Sequence, residues 1–140
     1  AHAAFAPVLG VAGTPARSDV QRPKTNAPCG KTDVATTMAS STAAPLAADG
    51  SFTVTATNFN PGRDGSRAVK TALVDTTGTG QSFAGTATVT TNGDGRPKTD
   101  GSDTLTLQMP AGTTCTGGAD GASCLVSLTS TGGFGNCVYV

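Results

Sequence analysis

From residue 51 onward apolar and polar positions alternate. Phe52, Val54 and Ala56 fall on one side and Ser51, Thr53, Thr55 and Thr57 on the other. That is the period of a strand with one buried and one wet face. The pattern recurs in Phe83-x-Gly85-x-Ala87-x-Val89, Leu105-x-Leu107-x-Met109 and Cys124-x-Val126-x-Leu128; Val69, Leu73 and Val74 predict another strand and residues 137–140 a last one. Turn-forming runs separate them, such as Asn60-Pro61-Gly62, Thr77-Gly78-Thr79-Gly80, Asn92-Gly93-Asp94-Gly95, Asp100-Gly101 and Gly132-Gly133. Short strands at regular spacing predict an all-β fold, an antiparallel β-sandwich of immunoglobulin or fibronectin type.

The first fifty residues are less regular. Residues 5–11 are apolar enough for a strand, after which Pro15, Pro23 and Pro28 keep residues 13–30 extended, a long ordered loop. Residues 32–41 either pair as a strand or form one helical turn. Thr36, Thr37, Ser40, Ser41 and Thr42, followed by Pro45, resemble a segment that carries O-linked sugar. There is no N-x-Ser/Thr sequon.

The length of 140 residues suits one domain, residues 1–140. Thr, Ala and Gly dominate, and Trp, Ile and Glu are absent, so the apolar core is thin. Nine Lys/Arg balance nine Asp. Without a basic field neither nucleic acid nor an anionic membrane surface is an expected partner, and no apolar stretch approaches the ~20 residues that cross a bilayer. Ala1-His2-Ala3 has the small-x-small form of a signal cleavage site, which predicts a secreted mature chain, extracellular or in the cell wall.

Cys29, Cys115, Cys124 and Cys137 are an even set without C-x-x-C spacing, and His2 is the only histidine. Disulfides in an oxidising compartment are therefore expected, rather than zinc. Three pairings are open. The favoured one joins Cys115 to Cys124 across a Gly-rich loop and Cys29 to Cys137, which ties the C-terminal strand to the N-terminal third.

Catalytic chemistry finds few residues to work with. Serine or cysteine nucleophiles need a base, and a lone His2 with four oxidised cysteines supplies none. Paired-carboxylate hydrolysis is disfavoured because most Asp neighbour Gly in turns, where they accept backbone hydrogen bonds. As the first residue of a processed chain, His2 would offer copper an amine and an imidazole, as in polysaccharide-oxidising enzymes, but their histidine brace needs a second histidine. His2 is at most an incidental metal ligand, and no cofactor is expected. The oxygen-rich residues 92–103 lack the spacing and the Glu of a calcium loop. Sugar stacking ordinarily uses exposed Trp or Tyr, and Tyr139 is the sole such ring. The candidate binding residues lie on three loops: Asn60, Arg63, Asp64 and Arg67; Asn92, Asp94, Arg96 and Asp100; Thr116 and Asp120.

The C-terminal third carries a more specific pattern. Leu105-Thr106-Leu107-Gln108-Met109-Pro110, Cys115-Thr116-Gly117-Gly118 leading to Cys124, and Gly132-Gly133-Phe134-Gly135-Asn136-Cys137 together resemble the ending of the fungal appressorium-associated secreted proteins, the Egh-like virulence factor family. Val8-Leu9-Gly10-Val11-Ala12-Gly13 after an early His, Asn26-Ala27-Pro28-Cys29-Gly30 and Thr55-Ala56-Thr57-Asn58-Phe59-Asn60 extend the resemblance over most of the chain. With four cysteines it is similar to the short form found in mushroom-type fungi. The resemblance implies a secreted fungal β protein of the cell surface, non-enzymatic and linked to host contact, with some relatives immunomodulatory. It transfers no catalytic residue. The expected partner is a cell-surface protein or a cell-wall glycan; the other readings are a copper-binding or polysaccharide-active protein using His2 and a structural wall component.

Overall fold

The computed structural model describes residues 2–37 and 40–140. Among the described residues eight strands follow in chain order: β1 (Ala3–Ala6), β2 (Ser51–Asn58), β3 (Val69–Asp75), β4 (Gly85–Thr86), β5 (Thr88–Thr91), β6 (Ser102–Gln108), β7 (Leu125–Ser130) and β8 (Gly135–Tyr139). They form two antiparallel four-stranded sheets, β1-β2-β6-β5 and β4-β3-β7-β8. Lettered in chain order this is the ABED sheet facing a CFG sheet of an immunoglobulin-like sandwich, with one short extra strand beside C. Among the described residues no helix is long and apolar enough to cross a membrane.

Alternation builds the core as expected. Phe52, Val54 and Ala56 of β2 and Leu105 and Leu107 of β6 are buried against Val74, Val126, Leu128 and Val138 of the opposite sheet. On the outer face of the first sheet Thr53 stands opposite Thr106 and Thr55 opposite Thr104.

Three boundaries differ from the sequence expectation. The predicted strand over residues 83–89 is two strands in two sheets: β4 pairs with β3, and β5 pairs with β6. The Ala87 N–H donates to Ala72 O at 2.9 Å at the crossing. From Gly85 through Ala87 to Val89 the inward parity is kept across the crossing, so alternation does not register the change of partner, whereas Phe83, expected on that same face, lies before β4 and packs on the outer side of the sheet instead. The strand expected over residues 5–11 is β1, which stops before Pro7 because proline has no N–H for the ladder. The last strand starts at Gly135 rather than at 137, because the Gly133 N–H donates to Ser130 O (2.9 Å) and the Ser130 N–H to Phe134 O (2.7 Å), closing the hairpin early.

Residues 13–30 run as a long segment with one short helical turn, and Cys29 is bonded to Cys137. Cys115 is bonded to Cys124. Both are the favoured pairs. Of residues 32–41, Val34–Thr37 form one helical turn, while Met38 and Ala39 lie outside the described residues.

The N-terminal segment covers the outer side of β8. The Leu9 N–H donates to Cys137 O (3.0 Å), the Ala44 N–H to Tyr139 O (2.8 Å), and Gln21 bridges Gly135. An edge strand is thereby closed to further pairing. Beneath this cover Leu9, Cys29, Leu125, Cys137 and Tyr139 make a second apolar cluster outside the sandwich. The two sheets are also clasped by one amide: Asn136 Oδ1 accepts from the Phe5 N–H and Asn136 Nδ2 donates to Phe5 O, both at 2.8 Å.

Candidate functional site

Strand directions place the β2–β3, β5–β6 and β7–β8 connections at one end of the sandwich, and the β3–β4 and β6–β7 connections at the other. Two of the three predicted binding loops therefore share an end. The third, between Cys115 and Cys124, is at the far end.

The shared end is built on side chains that finish the strands. Asn58 is buried at the tip of β2; its Oδ1 accepts from the Gly101 N–H (2.7 Å) and its Nδ2 donates to Asn60 O (2.9 Å) and Thr99 O (3.2 Å). Asn92 acts as a strand partner for Val69, accepting from its N–H at 2.8 Å and donating to its carbonyl at 3.1 Å. Arg67 and Asp103 pair at 3.3 Å, and the second oxygen of Asp103 accepts from the Asp94 N–H at 3.0 Å. Backbone bonds cross-link the loops, from the Gly62 N–H to Pro97 O and from the Arg67 N–H to Asp94 O, both at 2.8 Å. Gly93 lies so close to the Arg67 carbonyl that a Cβ there would collide with it.

The predicted residues sort accordingly. Asn60, Arg67, Asn92 and Asp94 brace the loops, Asn60 by accepting from the His2 N–H and Asp94 by accepting from the Arg96 N–H at 2.9 Å. Arg63, Asp64, Arg96 and Asp100 are exposed around that base. Asn58 carries as much of the geometry as any of them, and sequence reasoning missed it. Its signal is an Asn at a strand end, where side-chain amides replace missing ladder bonds.

His2 joins the same end. Its ring stacks on Phe134, centroids 3.9 Å apart, and the Arg22 guanidinium lies over Phe134 at 4.9 Å. Burial holds the imidazole below its ordinary value, with Arg17 and Arg22 adding to the effect and Asp64 opposing it. Its Nδ1 is buried with no hydrogen-bond partner. Among the described residues no three His, Cys, Asp or Glu side chains come together as a metal-binding group. Within residues 92–103 the side-chain oxygens of Asn92, Asp94 and Asp103 face N–H donors and Arg67.

The opposite end holds a feature the sequence reading did not single out. Asp75, closed to solvent at the end of β3, accepts from the N–H and hydroxyl of Thr77 (2.9 and 2.6 Å) through Oδ1 and from the N–H groups of Gly80, Gln81 and Ser82 (2.8, 3.1 and 3.2 Å) through Oδ2. Burial would push this carboxyl up, but the donors outweigh it and hold it below the ordinary carboxylate value. The Tyr139 hydroxyl donates to Gly78 O at 3.1 Å; burial, and then the Asp75 charge, push its phenol up. Thr116 donates both its N–H and its hydroxyl to Thr76 O, and Asp120 caps its own turn by accepting from Ala122 and Ser123. Both predicted residues of the third loop thus hold it in shape.

The family model of Egh16-like virulence factors matches residues 9–135, nearly the whole chain. The chain belongs to that family. No curated protein and no solved structure matches it. Residues 9–135 of this virulence factor family member include Cys29, Cys115 and Cys124 and both braced loops of the shared end, and Cys137 lies just beyond them. His2 lies outside the matched range.

Proposed function

We propose that this Egh16-like chain is a secreted fungal protein that acts without catalysis, by recognising a surface of a host or immune cell. The observation that carries this reading is the braced loop end. Arg63, Asp64, Arg96 and Asp100 stand exposed on loops whose backbones are cross-linked by Asn58, Asn92 and the Arg67–Asp103 pair. Loops fixed before contact lose little freedom on binding. Among the described residues Leu46 is the one exposed large hydrophobic, which favours polar recognition over an apolar patch. The test is saturable binding of the labelled, oxidised chain to host and immune cells. A variant with Arg63, Asp64, Arg96 and Asp100 all changed to Ala keeps the net charge at zero. It is expected to bind about tenfold or more weakly with an unchanged melting curve. Unaltered binding by this variant overturns the reading, and retention of the chain in the fungal wall fraction would favour a structural wall component instead.

A copper reading rests on one atom, the unpartnered Nδ1 of His2. Copper titration against His2→Ala decides it: equal affinity for the two chains removes it.

A further inference from the structure

The outer face of the β4-β3-β7-β8 sheet is only partly covered. Between residues 23–28, which lie over the β8 side, and residues 80–83, which lead into β4, an open groove of about 750 Å³ remains. That volume lies within the ~300–1,000 Å³ of small-molecule sites. Its floor is two cross-strand pairs, Leu73 opposite Ser127 and Thr71 opposite Thr129. The Ser127 hydroxyl donates to Pro28 O at 2.6 Å and so fixes one wall to the floor. The other wall presents Phe83, half-buried on the second apolar cluster, and the exposed amide of Gln81.

We propose that this groove binds a neutral oligosaccharide. A sugar ring has a C–H face, which Phe83 and Leu73 match, and a rim of hydroxyls, which Thr71, Thr129 and the Gln81 and Asn26 amides match as donors and acceptors. Competing occupants fit less well. A peptide docked by strand addition needs a free ladder edge, and β3 and β7 are each paired on both sides. A polyanion needs several cations, and among the described residues lining the groove Lys24 carries the one formal charge. A purely apolar ligand would strip water from the floor hydroxyls and return no hydrogen bond. The aromatic platform that the sequence leaves to Tyr139 is supplied by Phe83, since Tyr139 is buried and bonded to Gly78.

The groove is separate from the braced loop end, so the two proposals fail separately. The experiment is titration of the isotope-labelled, oxidised full chain with a glucan, a chitin and a mannan oligosaccharide, followed by amide chemical shifts, with a galacturonate oligomer as the charged comparison. Expected are saturable shifts from at least one neutral oligosaccharide below about 10 mM, centred on Thr71, Leu73, Phe83 and Thr129, and about tenfold weaker binding in Gln81→Ala and Phe83→Leu. Arg63→Ala is expected to bind the sugar as the parent does. If Phe83→Leu loosens the fold, Gln81→Ala and Thr71→Val, at exposed positions, decide the matter. The proposal is overturned if no neutral oligosaccharide gives saturable shifts in that range, if the galacturonate oligomer is preferred, or if the shifts map to the loop end.

Discussion

Asp75 shows how one residue organises a connection. A carboxylate closed to solvent needs a cation or a set of N–H donors, and here the donors come from its own following loop. Asp75→Asn puts an NH₂ group among N–H donors and is expected to cost about 2–3 kcal/mol in urea denaturation. The pH dependence follows from the direction of the shift. Because the folded carboxyl lies below its ordinary value, its contribution is present above about pH 4 and is lost as pH falls through the folded value. Acid titration of stability should therefore show a steep limb below about pH 4 that Asp75→Asn flattens. Tyr139 runs the other way: its phenol is raised, so its contribution holds below about pH 10 and is lost above it. Tyr139→Phe should cost about 1 kcal/mol at neutral pH and flatten the alkaline limb.

Among the elements, strand ends matter more than strand middles. Asn58 and Asn92 use their side chains to continue ladders where the backbone turns away, which fixes the two long connections against each other. Asn58→Ala leaves the Gly101 N–H without its buried acceptor and is expected to cost about 2–3 kcal/mol, with faster hydrogen exchange at Gly101 than at β6. Retained protection at Gly101 would show that the loops do not depend on this brace. The disulfides act on connections of very different length. Cys29–Cys137 spans 108 residues of sequence and Cys115–Cys124 spans 9. Chain entropy gives the long one about 4–5 kcal/mol and the short one somewhat under ~3. Replacing both members of each pair by Ser should therefore lower the denaturation midpoint more for the 29–137 pair than for the 115–124 pair.

At the scale of the whole molecule, a thin core is compensated by the N-terminal segment. Leu9 and Cys29 lie on β7 and β8 from outside, adding a second apolar layer to a sandwich whose inner face is built largely of Ala, Val and Leu. Reduction of both bridges releases this segment and should lower the melting temperature by well over ~10 °C, since each ~1 kcal/mol moves a domain of this size by a few degrees. A melting curve unchanged by reductant would mean that the cover is held by its hydrogen bonds and apolar contacts alone.

Strand identity and inward face are local properties, and the chain states them directly: a period of two assigns Phe52, Val54, Leu105 and Val126 to the core whichever strands they pair with. Turn chemistry is local in the same way, because Gly and Asn admit backbone angles that other residues resist. Pairing is not local. The division of the predicted strand between two sheets depends on which ladder is vacant beside each half; parity survives the crossing from Gly85 to Val89, while Phe83 is drawn to the outer cluster by segments far away in sequence. The second core was open to reading only as a lack of polar residues, for Leu125 and residues 135–140 do not alternate, but what covers them lies a hundred residues upstream. Likewise the braced end and the groove join segments far apart in sequence, assembled when long-range contacts repay the entropy of closing the loops between them. The amino-acid order by itself determined a disulfide-bonded antiparallel sandwich and its inward faces; the tertiary structure alone decided which loops stand together, because burial and hydrogen bonding between distant segments have no local signature.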